Sequence, residues 1–121
     1  MPLHVRFQKD QDQNYLVELK GSIDSDTSMY LQEELKKVET AGARSVSLNC
    51  GGVDYISSAG MGVLINGMKT LKERQAPFLL FDLQPQVLKV LDIMRLTSIF
   101  EVLGSRSEAE HYLQEHRRIS S

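Results

Sequence analysis

The sequence predicts an α/β fold: a mixed sheet of four to five strands with about four helices, mainly on one face. Three observations carry this prediction. Apolar and polar residues alternate with period two in three short stretches, the mark of half-buried strands. Apolar residues at three- and four-residue spacing follow in several longer stretches, the mark of amphipathic helices. After the first two strands the two patterns take turns, which implies strand–helix–strand units with parallel pairing and right-handed crossovers. The 121 residues form one domain, 1–121. A chain of this length buries roughly two thirds of its unfolded surface, enough for one core without metals or disulfides.

Leu3, Val5 and Phe7 alternate with His4, Arg6 and Gln8. Tyr15, Val17 and Leu19 alternate with Leu16, Glu18 and Lys20. The polar loop 9–13 joins them as an antiparallel hairpin. Asp24, Ser25, Asp26 and Thr27 supply N-cap candidates for a first helix, with Leu31, Leu35 and Val38 inward and Gly42 as its stop. Val46, Leu48 and Cys50 make a third strand, which Gly51-Gly52 is expected to end. A helix over about 59–74 places Val63, Leu64, Met68 and Leu71 on one face. The apolar run 78–81 after Pro77 reads as a buried strand. Pro85 suits the first turn of a third helix, with Val87, Leu88, Leu91 and Met94 inward. Ile99-Phe100 reads as a short last strand. Ser107 and Glu110 have capping-box spacing before a last helix over about 109–116, and residues 117–121 are expected to fray. The half-polar first three strands predict that one face of the sheet is not covered by helices.

Composition excludes several classes. Fourteen basic residues stand against 16 acidic ones, and no basic stripe occurs, so no direct nucleic-acid contact is expected. Cys50 is the only cysteine, which excludes an intrachain disulfide and suits a small buried hydrophobe. No apolar run approaches the ~20 residues of a membrane span, so no membrane insertion is expected. The first residues lack the apolar segment of a secretory leader, and a cytoplasmic location is expected. No pattern calls for a cofactor or a metal.

The most informative stretch is Asp54-Tyr55-Ile56-Ser57-Ser58-Ala59-Gly60-Met61-Gly62. It sets two adjacent hydroxyls where a strand ends and a helix begins, beyond the carboxyl end of a parallel strand, where functional groups gather in open α/β sheets. A phosphate-binding loop does not fit. Gly60-Met61-Gly62 starts a G-x-G, but Ile65 stands where a small residue belongs, and no G-K-[ST] exists. A nucleophilic serine does not fit either: no G-x-S-x-G elbow is present, and His4, His111 and His116, read as surface residues, lie near the termini. No catalytic residue is assigned. Two uses remain: a helix cap, and phosphorylation. A phosphate at a helix start is tolerated by the fold, while a partner docking over the turn meets new charge and bulk.

With these residues in view, the segment 53–62 resembles the signature of the STAS domain (sulphate transporter and anti-sigma factor antagonist). The stretch Gly21-Ser22-Ile23-Asp24, followed by Thr27, resembles the family's second motif, glycine-x-aliphatic-aspartate after the second strand. Element order and length match throughout. The resemblance implies the STAS, antagonist-like fold. It also implies a free-standing anti-sigma factor antagonist, a binding module rather than an enzyme. Such an antagonist binds an anti-sigma factor with serine kinase activity, is switched off by serine phosphorylation, and is restored by a PP2C-type phosphatase. Transcription is thereby regulated indirectly. Carried over by position, the phosphoacceptor is Ser58, with Ser57 as second choice; Asp24, Ser57, Ala59 and Gly60 surround it. Ser57 stands where many members have aspartate, and Ala59 where many have a second hydroxyl. Met61, Ile93 and Met94 are candidates for the partner surface, with a core role as the alternative. The other reading the family offers is a STAS interaction subunit of a stress-signalling complex or of a lipid or anion transporter, without a phospho-switch.

Overall fold

A computed structural model describes residues 2–120. The order is β1 (His4–Lys9), β2 (Asn14–Ile23), α1 (Ser28–Thr40), β3 (Ser45–Ile56), α2 (Ser58–Glu73), β4 (Phe78–Phe81), α3 (Pro85–Ile93), β5 (Glu101–Leu103) and α4 (Arg106–Ser120). One five-stranded sheet runs β1-β2-β3-β4-β5. β1 pairs antiparallel with β2, and every later pair is parallel, as the alternation of periods requires.

The core lies between one sheet face and α1, α2 and α3. Val17, Leu19, Ile23, Leu48, Phe78 and Leu80 meet Leu31, Leu35, Leu64, Leu71, Val87 and Leu91 there, all buried. The opposite face carries a smaller cluster, in which Leu79 and Phe81 of β4 pack with Ala109, Tyr112 and Leu113 of α4. β4 is therefore apolar on both sides, which explains its continuous run. Three helices cover one face and one helix partly covers the other.

Several expectations change. Gly51-Gly52 does not end β3. Pairing with β2 continues to Ile56 through two register shifts, at Glu18/Lys20 and Gly21/Ser22, each placing one extra residue in β3. A bulge absorbs the glycines that looked like a stop. The polar residues of β3 are not all solvated: Ser45 and Ser47 are buried, and the Ser45 hydroxyl donates to Asn14 Oδ1 at 2.7 Å. In α3 only Val87 and Leu91 are buried; Leu88 and Met94 are exposed, because a helix of nine residues reaches the core through one stripe. The last strand is β5, while Ile99 and Phe100 belong to the turn before it. The last helix starts earlier and runs through residues 117–120, which were expected to fray; residue 121 lies outside the described residues. Its cap is Ser105 with Glu108, two positions before the predicted pair. The Glu108 N–H donates to Ser105 Oγ at 3.2 Å, and its carboxylate accepts from the Gly104 N–H at 2.6 Å.

Gly21 shows why the second motif begins with glycine. Its φ is +124°, and a Cβ there would collide with the carbonyl oxygen of Pro2. The chain entering β1 crosses directly over β2 at this point and buries Leu3. Gly21→Ala is expected to destabilise the fold by about 1–3 kcal/mol, since it combines unfavourable φ with a steric clash. Urea unfolding of the two proteins measures this difference.

Candidate functional site

The serine turn is built by the end of β2 as much as by β3. The Ser57 N–H donates to the Ile23 carbonyl at 2.7 Å, which fixes the height at which α2 starts. Gly60 then lies against Ile23: a Cβ at Gly60 would come within 2.6 Å of Ile23 Cγ2 and 3.0 Å of the Ile23 oxygen. Only glycine lets the first turn of α2 approach the sheet this closely. The two sequence motifs therefore meet in space, one supplying the wall and the other the turn that docks on it.

The two hydroxyls are separated by this geometry. Ser57 is the N-cap, in extended backbone (φ −82°, ψ 171°), and its Oγ accepts from the Gly60 N–H at 3.1 Å. Ser58 is the first residue of α2 and is exposed. Its hydroxyl has no hydrogen-bond partner among the described residues. The Met61 N–H begins the helical ladder on the Ser57 carbonyl. The N–H groups of Ser58 and Ala59 remain without an acceptor among the described residues, and the first turn of α2 contains no acidic residue. The positive end of the α2 dipole is thus open beside the Ser58 hydroxyl.

Asp24 sits one residue beyond Ile23, next to the turn, but its carboxylate is turned to the loop that leads into α1. Oδ1 accepts from the Asp26 and Thr27 N–H groups, both at 2.9 Å. Thr27 Oγ1 donates to the Ser22 carbonyl at 2.7 Å and accepts from the Asp24 N–H at 2.9 Å. The Thr27 N–H, outweighing slight burial, with help from the Thr27 hydroxyl and the Asp26 N–H, holds the Asp24 carboxyl below its ordinary value of 3.8. A further bond ties the two strands before the turn: Ser22 Oγ donates to Asp54 Oδ1 at 2.7 Å. Sequence reasoning did not single out this pair. Its only signal was that Ser22 and Asp54 fall inside the two motifs.

Of the three apolar residues expected on a partner surface, Met61 is corrected to the core. It is 2% exposed, because it falls on the same stripe of α2 as Leu64 and points at the sheet. Ile93 and Met94 are 71% and 46% exposed. They close α3, whose nine residues carry them about 13 Å along the helix axis from its start near the carboxyl ends of the strands. Cys50 is buried, and desolvation, then the charge of Asp82, pushes its thiol up to about 12, so it is inert at neutral pH. His111 and His116 lie on α4, across the sheet from the serine turn, with His116 partly buried and stacked on Tyr112 at 6.5 Å. Among the described residues no helix is long and apolar enough to cross a membrane.

The family model described as the STAS domain matches residues 6–110, and the chain belongs to that family. It is 38% identical over 91 residues to BtrV of Bordetella bronchiseptica, named provisionally as an anti-sigma factor antagonist, covering 75% of this chain and 78% of that protein. It is 26% identical over 101 residues to the anti-sigma-B factor antagonist of Listeria monocytogenes, covering 83% and 89%. The solved structure of the anti-sigma factor antagonist SpoIIAA in its unphosphorylated form superimposes with a TM-score of 0.71 at 14% identity, over 92% of this chain and 98% of that one. The phosphorylated form of SpoIIAA shares the same fold with this chain.

The two serines differ in what their removal costs. Ser57→Ala loses the cap and is expected to destabilise the protein by about 1 kcal/mol, whereas Ser58→Ala should change stability by less than about 0.5 kcal/mol. Denaturant titration of both variants checks this order. Asp24 adds a pH signature. Its folded-state pKa is lowered, so its contribution is present above 3.8 and is lost as the pH falls through the folded-state value. Asp24→Asn should therefore be less stable than the parent at pH 6, and the difference should vanish in strong acid.

Proposed function

We propose that this chain is an anti-sigma factor antagonist whose binding is switched off by phosphorylation of Ser58. The observation that carries the reading is the division of labour at the turn. Ser57 spends its hydroxyl on the cap, and Ser58 presents a free, exposed one at the first helical position. The family relationship and the names of the relatives support the antagonist role.

The physical logic is that of a switch on binding. A phosphate adds about −1.5 to −2 charges at neutral pH. On Ser58 it would stand beside the open N–H groups of Ser58 and Ala59, at the positive end of α2, with no carboxylate in that turn to repel it. The folded domain accepts the group. A partner seated over the turn meets it as unpaired charge that must be desolvated. The partner is an anti-sigma factor with serine kinase activity, which uses ATP to modify the antagonist bound to it; a PP2C-type phosphatase reverses the step. The chain is then a substrate and a binding module. Where many family members carry aspartate, Ser57 supplies the same capping oxygen, since both residue types rank high at N-caps. Exposed Ile93 and Met94 are proposed to extend the partner surface along α3.

Incubation with the cognate kinase and ATP should add one phosphate, seen by intact mass. Ser58→Ala should abolish it, and Ser57→Ala should not. In a binding assay Ser58→Glu should weaken the anti-sigma complex by about tenfold or more, the scale of one uncompensated buried charge. A Ser58→Glu protein that binds as tightly as the parent would rule out the switch.

A further inference from the structure

At the other end of the sheet, where β3 and β4 begin, lies a cavity of about 590 Å³. It is open to solvent on one side and is lined by the hairpin between β1 and β2, the loop 41–44 between α1 and β3, the loop 74–77 between α2 and β4, and the second half of α4. Its floor is apolar, made by Ala43, Ala76, Pro77 and Leu113. Its rim carries three arginines, Arg44, Arg74 and Arg117, against one carboxylate, Asp12.

The three cations are in different states. Arg74 is committed to the fold: Nη1 donates to the Glu39 carbonyl at 2.7 Å and Nη2 to the Ala43 carbonyl at 3.3 Å, covering the carbonyl end of α1. Arg117 pairs with Asp12 at 3.3 Å across two exposed side chains, a contact that solvent screens strongly. The backbone of Arg44 is anchored, its N–H donating to the Gln13 carbonyl at 2.8 Å. Its exposed guanidinium has no partner among the described residues. An unspent planar fork beside an apolar floor is what a carboxylate or phosphate on an apolar body requires. The size falls within the range of small-molecule pockets, about 300–1,000 Å³.

We propose that this cavity binds a small organic anion, a carboxylate or phosphate carried on an apolar body, with Arg44 as the anchoring cation and Arg117 as the second. Twelve residues of β3 separate the cavity from the serine turn, roughly 35 Å of strand, so the two sites occupy opposite ends of the domain.

The test is amide NMR of the full chain titrated with phenyl phosphate, with benzyl alcohol, inorganic phosphate and hexaglutamate as comparison probes. Phenyl phosphate should shift the amides of Gly42, Ala43, Arg44 and Ala76 saturably, while the neutral alcohol and inorganic phosphate bind much more weakly. Arg44→Ala should weaken phenyl phosphate by about tenfold, the loss expected for one charge-assisted contact. Arg6→Ala, which removes the same charge from β1 outside the cavity, should leave binding unchanged. Four results would overturn the proposal: shifts confined to residues 57–60, equal losses in the two arginine variants, equal binding of any comparison probe, or a response to hexaglutamate alone.

Discussion

The site depends on one contact, the seating of the α2 start on the end of β2. The Ser57 N–H bonds to the Ile23 carbonyl, and Gly60 closes against the Ile23 side chain. The constraint is short-range and unforgiving, because a methyl group at Gly60 has no room. It fixes the phase of α2, and that phase decides everything nearby. Met61 and Leu64 turn to the core, Ser57 turns back to cap, and Ser58 turns out to water. Two residues of the same type, adjacent in sequence, acquire different chemistry from position alone.

The same contact explains why a charge change here need not disturb the fold. At a helix start the first backbone N–H groups have no acceptor within the helix. In α2 the cap uses one of them and leaves those of Ser58 and Ala59 open. The neighbouring carboxylates are already engaged, Asp24 with the loop before α1 and Asp54 with Ser22. The turn therefore combines rigidity with spare capacity for negative charge. In the proposed switch, charge added there would act on whatever docks over the turn and leave the core untouched.

Much of this was legible in the sequence. Strand periodicity gave the hairpin and the parallel sheet, since half-buried strands leave an unambiguous alternation at Val17, Leu19, Val46 and Leu48. Glycine spacing marked the turn, because close approach permits no other residue at position 60. What the sequence hid was tertiary in origin. Gly51-Gly52 looked like a stop, but cross-strand pairing carried β3 through them as a bulge. Ser45 and Ser47 looked solvated, but α4 and the hairpin cover that face. Met61 looked available to a partner until the helix phase was fixed from outside α2. The arginine cavity was invisible for the same reason: Arg44, Arg74 and Arg117 are far apart in sequence and meet only where loops and helix ends converge.

The proposed switch requires a fold that accepts a phosphate and a complex that does not, so the phosphorylated chain itself is the decisive sample. Its unfolding free energy, measured beside that of the unmodified chain, should be unchanged or slightly raised, by up to about 1 kcal/mol from the favourable helix end. A loss of more than about 2 kcal/mol would contradict the account, for it would place the effect of Ser58 on folding, a scale reserved for strain or unpaired charge within the structure.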